Sequence, residues 1–213
     1  MKVPCLPTGR HHTIKINYYM MKLWKYIIGT LIRPIKTFEE IRQDENAMKY
    51  SFITMLIWCI LYGLISMQLY FKGETPWSTW INIPIKQYYL WESIFLPPLN
   101  LLLWVLFSAL IYLFSYRKNA KGTFEQTFSL IGFAWSIPAF FMFLLPDFII
   151  MTFFNKHIFN SLIPVYGSLY FVWMIFLCAL GLKSVREISL FKSLLICLIA
   201  FIIHFPIGFT FIR

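Results

Sequence analysis

The chain has 213 residues, 59% hydrophobic and only 13% charged, with mean hydropathy +0.68 and net charge +10. A soluble domain keeps roughly a quarter of its residues charged, so this composition cannot cover a water-facing surface and points to a membrane protein. The positive balance fits Lys and Arg collecting in cytoplasmic loops over an anionic inner leaflet, and no motif that reads nucleic acid is present.

Residues 1–19, "MKVPCLPTGRHHTIKINYY", have no apolar h-region and no small-residue cleavage site, so they do not read as a signal peptide. A flexible tail is expected, with Met20 or Met21 as an alternative start. Cys5, His11 and His12 are metal-ligand types, but three ligands in a flexible tail do not make a site.

Residues 20–46 read as a cytoplasmic head. "MKLWKYIIGTLIRP" sets Leu23, Trp24, Ile27, Ile28, Leu31 and Ile32 at helical spacing, with Lys22, Lys25 and Arg33 off that stripe. This pattern predicts a cationic amphipathic helix on the inner leaflet. The alternative is a soluble helix packed against the cytoplasmic ends of the spans. Pro34 ends the helix, because its ring disfavours helical geometry in the residue before it. Thr37 followed by Glu40 is a capping-box pattern, predicting a second helix that starts at Thr37. Lys22, Lys25, Arg33, Pro34, Thr37 and Glu40 are therefore the candidate contacts with the membrane surface or a partner.

Residues 47–213 read as a five-span transmembrane domain, since a helix needs about 20 apolar residues to cross a bilayer. The expected spans are 47–71, 91–116, 124–145, 165–182 and 189–212. Lys and Arg number nine through Lys49, then two, three, one and three in the connections, with Arg213 last. Alternate compartments thus hold 9 + 3 + 3 = 15 and 2 + 1 + 1 = 4. The excess belongs inside, which puts the N-terminus in the cytoplasm and the C-terminus outside.

Between the third and fourth spans, "DFIIMTFFNKHIFNSLI" (147–163) is apolar but interrupted by Asn155, Lys156 and His157. It is expected to be a helix in the interface or dipping into it; two further crossings here would make seven spans. Ahead of the third span, "KGTFEQTF" repeats the capping pattern, with Thr123 three residues before Gln126.

Chemistry-bearing groups are sparse. No HExxH, GxSxG or glycine-rich phosphate loop is present, so no enzyme and no cofactor is expected. Glu92 and Asp147 lie at the outer edges of the second and third spans. Asn100, Ser108, Ser136 and His204 lie deeper. Glu92, Asn100, Asp147 and His204 all fall toward the outer half and form a candidate outward-facing polar pocket, the alternative being isolated interhelical hydrogen bonds. Pro97, Pro98, Pro138 and Pro206 are expected to bend their helices, and Gly132 to permit close helix approach. Cys59, Cys178 and Cys197 sit in apolar runs as small hydrophobes, and no CxxC pair occurs.

In these residues the chain resembles the Yip (Ypt-interacting protein) domain family. "RPIKTFEEI" resembles the family's proline-plus-TF entry segment. Gly132, Phe133 and Pro138 match its glycine–aromatic…proline helix. "VWMIFLCALGLKSVREIS" (172–189) resembles its fourth span and basic turn. The five-span layout with the N-terminus inside completes the likeness, which covers roughly residues 30–212. It implies an all-helical membrane domain without known catalysis. Eukaryotic members bind Rab-type GTPases in transport between endoplasmic reticulum and Golgi, and carry a long hydrophilic head with a "DLYGP"-like motif. This chain has neither feature, which argues against Rab binding and for a prokaryotic member in the cytoplasmic membrane; a eukaryotic one would sit in the Golgi or endoplasmic reticulum membrane. The resulting expectation is a non-enzymatic, all-α polytopic bundle that organises the membrane or scaffolds a membrane-protein partner or a second copy of itself. A small-solute or ion transporter using the polar pocket is the alternative.

Overall fold

The computed structural model describes residues 8–76, 83–116, 121–153 and 156–211. Among them the regular elements are helical. Two helices precede the apolar spans: α1 (Thr8–Ile32) and α2 (Pro34–Arg42). Then come α3 (Ala47–Phe71), a single 3-10 turn (Ile85–Gln87) leading into α4 (Tyr88–Ser115), α5 (Phe124–Ala139), a π turn (Phe140–Leu144), α6 (Leu145–Phe153), α7 (Lys156–Arg186) and α8 (Leu190–Phe211). Helix α1 thus begins at Thr8, well ahead of the stripe that predicts it. Cys5, Lys118 and Arg213 lie outside the described residues, as do the side chains of His11, His12, Lys156 and His157.

Five segments are long and apolar enough to cross a membrane: Ala47–Phe71, Ile85–Ser115, Phe124–Ile150, Val165–Arg186 and Leu190–Ile207. The expected number of spans holds, and α3 coincides with its expected span residue for residue.

Residues 147–163 require a correction. They do not form a separate helix of their own. Residues 147–153 lie in α6, which continues the third span through the π turn, and residues 156–163 are the start of α7. Pro138 lies inside α5, two residues before the π turn, and has no N–H to give the helical ladder. The π turn lets the helix run on past that gap rather than stop. The 31 residues of α7 span about 46 Å at 1.5 Å per residue, well beyond a hydrocarbon core of roughly 30 Å.

The order of burial gives the bundle its centre. The third span is 67% buried within the protein, against 22% for α8. Residues 129–139 of α5 are buried on every side, the mark of a core helix. Helices α3, α4 and α7 pack around α5, and α8 lies outside against α4 and α7. The exposed Leu194, Leu198, Ile199, Ile202 and Ile203 of α8 form its outer, lipid-type face. An ideal Cβ at Gly132 would collide with the Ser51 hydroxyl of α3 and lie 2.8 Å from Trp104 of α4. Three helices therefore converge at a point where only glycine fits. Such backbone approach is how spans gain packing when lipid is as apolar as their side chains.

Candidate functional site

The two helices before the spans, α1 of 25 residues and α2 of nine, form a head docked on one end of the bundle. Helix α2 starts at Pro34, whose fixed φ suits the first helical position, with Arg33 ahead of it at φ −141°, ψ 58°. Pro34 therefore separates two helices, as its chemistry predicts. The capping box at Thr37 and Glu40 does not form. Thr37 lies in the interior of α2, and no side chain caps that helix. Proline moves the helix start three residues upstream, so Thr37 faces inward and is 5% exposed. It seats against Gly29 of α1, where a Cβ would overlap the Thr37 hydroxyl. Thr37, Phe38 and Ile41 form the buried face of α2, packed on α7 and α5.

The end of α2 is tied down from both sides. Arg42 Nη1 donates to the Ser184 carbonyl of α7 at 2.6 Å, and Gln126 Nε2 of α5 donates to the Arg42 carbonyl at 2.9 Å. Helix α1 is held by Asp44, which accepts from Tyr26 Oη (2.8 Å), Lys22 Nζ (2.9 Å) and the Asn46 N–H (3.1 Å). Burial pushes the Asp44 carboxyl up, but these donors, Lys22 foremost, outweigh it and leave it below the usual carboxylate range. The bond to Asp44 raises Lys22. Burial, then the same carboxylate, raises the Tyr26 phenol.

The opposite face of the head points outward. Met21, Trp24 (55% exposed), Ile28, Ile32 and Ile35 are exposed, with Arg33 and Lys36 exposed beside them. The predicted stripe is thus divided: Leu23 is buried, Ile27 and Leu31 pack partly against the core, and Trp24, Ile28 and Ile32 face out. Lys22 and Lys25 are engaged by Asp44 and Glu40, the latter pair at 2.6 Å. Glu40, expected as a cap, serves as an ion-pair partner.

The second TF pattern folds as its sequence predicts. Thr123 Oγ1 accepts from the Gln126 N–H, and Gln126 Oε1 accepts from the Thr123 N–H, closing a capping box. Nearby, Arg186 at the end of α7 is 4% exposed. Its Nε donates to Ser115 Oγ (3.2 Å), its Nη1 to the carbonyls of Lys121 (3.0 Å) and Gly122 (3.1 Å), and its guanidinium lies 4.4 Å from the Tyr112 ring centroid. Glu187 follows at φ 53°, a strained value for a non-glycine residue, paired with Lys121 at 2.7 Å and Arg42 at 3.5 Å.

The polar residues of the spans are buried, each in its own setting. Glu92 accepts from Ser66 Oγ of α3 at 2.9 Å. Asp147 accepts from Tyr166 of α7. His204 bonds to the Leu103 backbone and sits between the Phe107 and Trp135 rings, with centroids 5.2 and 5.3 Å away. Asn100 lies at the centre of the buried face of α4, and its amide has no hydrogen-bond partner among the described residues. These bonds run to different helices, and none of them joins two of the four residues. Ser136 bonds back to the Gly132 carbonyl at 2.7 Å, as a serine within a helix often does.

The family model of the Yip1 domain matches residues 28–212. The chain belongs to that family. It is a multi-pass membrane protein whose Yip1 domain begins inside α1 and takes in the break at Pro34, α2 and all five spans. No curated protein and no solved structure matches it. Within this Yip1 domain the entry segment "RPIKTFEEI" is the docked helix α2, and Val172–Ser189 ends in the Arg186–Glu187 junction. Several residues that build the head escaped sequence reasoning, namely Tyr26, Gly29, Arg42 and Asp44, as did Arg186, which ties the end of α7 to α4 and to the turn before α5. Arg186 carried no signal, because its partners are backbone carbonyls and a hydroxyl remote in sequence.

Proposed function

We propose that this Yip1 domain protein is a non-enzymatic membrane organiser, whose cytoplasmic head serves as a docking platform for another membrane protein or a second copy of the chain. One observation carries the reading. The head is clamped to the bundle through Phe38, Ile41 and Arg42, yet keeps Trp24, Ile28 and Ile32 exposed on its far side. A platform needs that combination, because a rigid, pre-ordered surface loses less entropy on binding than a mobile one. The charge asymmetry of 15 to 4 supports a cytoplasmic head over an anionic leaflet. Glu92, Asn100, Asp147 and His204 are read as interhelical polar contacts rather than a transport pocket, since Glu92 and Asp147 each take a hydroxyl donor from a neighbouring helix.

The test is site-specific photo-crosslinking in native membranes from residues 24 and 28, with Ile203 on the lipid-facing side of α8 as control. A discrete protein adduct from the head positions, absent from residue 203, is expected. Lipid adducts alone from all three positions sink the platform reading.

A further inference from the structure

Helices α3 and α4 run antiparallel, and printed contacts along their length fix the register. Ser66 of α3 donates to Glu92 of α4 at 2.9 Å. A Cβ at Gly63 of α3 would come 3.1 Å from the Ser93 carbonyl and 3.3 Å from Pro97. Phe52 of α3 meets Trp104 with ring centroids 6.5 Å apart. This register sets Trp58 of α3 opposite Asn100 of α4. Asn100 also lies between two close approaches of backbone. Pro97, against Gly63, precedes it by about one helical turn, and Trp104, against Gly132, follows it by about one turn. At the second approach the Ser51 hydroxyl and the Trp104 ring crowd the same point over Gly132.

This part of the seam concentrates polar atoms with no hydrogen-bond partner among the described residues. They are Ser51 Oγ, Trp58 Nε1, Trp104 Nε1 and both the oxygen and the nitrogen of the Asn100 amide. All of these side chains are buried, and all lie within spans. Lipid offers no hydrogen bond, so each group left unanswered there costs free energy. They stand on successive turns of two facing helices, where one small ligand can answer several at once. The groups also define its chemistry. The indoles and the amide nitrogen donate, Asn100 Oδ1 accepts, and the Ser51 hydroxyl does both. A bare cation would meet two indole N–H groups, an anion would leave Asn100 Oδ1 unanswered, and none of the four residues carries a charge to balance either. Water both donates and accepts, and a buried water takes about two to four such partners.

We infer that α3 and α4 enclose ordered water at Asn100, between the glycine contacts at Gly63 and Gly132. Trp58 Nε1, Trp104 Nε1 and the Asn100 amide nitrogen donate to it, and it donates to Asn100 Oδ1 and Ser51 Oγ. The two close approaches shut the seam on either side, so the water is bound and not conducted. Asn100 is thereby an interhelical contact made through water, joining α4 to Ser51 and Trp58 of α3.

The test is X-ray radiolytic labelling of the full chain in detergent, read by mass spectrometry, because bound water yields hydroxyl radicals beside the side chains that hold it. Met55, on α3 between Ser51 and Trp58, is fully buried, and Met174 of α7 is buried to the same degree with its sulfur accepting from Tyr170. Met55, Trp58 and Trp104 are expected to be labelled and Met174 to stay unlabelled, with the exposed Trp24 as the solvent reference. Asn100→Leu should bring Met55 and Trp58 down to the level of Met174 and leave Trp24 unchanged. Ser51→Ala, a smaller change that keeps the helices assembled if Asn100→Leu does not, should lower labelling at Trp104 with helicity unchanged. Met55 and Trp58 labelled no more than Met174 in the wild type, or labelling that survives both substitutions, would overturn the assignment.

Discussion

The chain uses one short pattern twice, TFEE at residues 37–40 and TFEQ at residues 123–126, and the two copies fold differently. In the second, Thr123 caps α5 and Phe124 stays on the surface at 38% exposure. In the first, Pro34 has already started the helix. Thr37 is turned inward against Gly29, Phe38 is fully buried, and Glu40 pairs with Lys25. The copies then meet, because Gln126 of the second bonds the Arg42 carbonyl that ends the first helix. A cap is a local device, satisfied by atoms three residues apart. An anchor is a tertiary one, satisfied only by what the rest of the chain brings to it.

The largest expected effect separates the two phenylalanines. Phe38→Ala should destabilise the docked head by about 3–4 kcal/mol, the cost of emptying a fully buried aromatic site. Phe124→Ala should cost about 1 kcal/mol or less, and thermal unfolding in detergent compares the two. Equal losses would mean that α2 is no more anchored than the start of α5.

Asp44 tests the head's electrostatic anchor. Asp44→Asn should loosen α1 by about 2–3 kcal/mol, since it removes the charge that Lys22 and Tyr26 address in a part-buried site. Acid should do the same. The Asp44 carboxyl is held below its usual range, so its stabilisation is present above pH ~4 and is lost as pH falls through the lowered value. Amide exchange across α1 should rise over that window in the wild type and stay flat in Asp44→Asn.

Gln126 sharpens the comparison, because it serves both copies. Gln126→Glu keeps the oxygen that caps α5 but, ionised, lacks the donor for the Arg42 carbonyl. An expected loss of about 1–2 kcal/mol should appear as faster exchange in α2 and not in the first turn of α5. Faster exchange in both would show that the capping box fails as well.

The smallest effects lie at the two threonines. Thr123→Val removes a working cap and should cost about 1 kcal/mol. Thr37→Val replaces the buried hydroxyl seated on Gly29 by a methyl but removes no cap, so it should cost only about 0.5 kcal/mol, with unaltered exchange across residues 37–43. The reverse ranking, read from the same exchange experiment, would restore Thr37 as a cap.

The polar residues of the candidate pocket were legible as types and depths, but not as partners. That Glu92 and Asp147 need donors follows from burying a carboxylate in an apolar span. That Ser66 and Tyr166 supply them depends on which helices neighbour each other, and helices joined by distant turns leave no local trace of that choice. Residues 147–163 were misread for a related reason. Their polar interruption resembles a surface segment, and only the extension of the third span past its π turn, together with the length of α7, assigns residues 147–153 and 156–163 to two longer helices.

By itself the sequence determined the membrane class, the number of spans and the bounds of α3, because a bilayer imposes a length and a polarity that every crossing must meet alone. It also determined the break at Pro34 and the cap at Thr123, each set by atoms within four residues. The tertiary structure alone decided that α2 is buried, that α5 is the central helix, that Arg42 joins the head to the spans, and that Arg186 ties the end of α7 to the end of α4 and to the turn before α5. These are contacts between segments as much as 142 residues apart, and all the spans carry much the same apolar code. Which of them packs against which is settled by shape and by a few polar bonds that no single segment specifies.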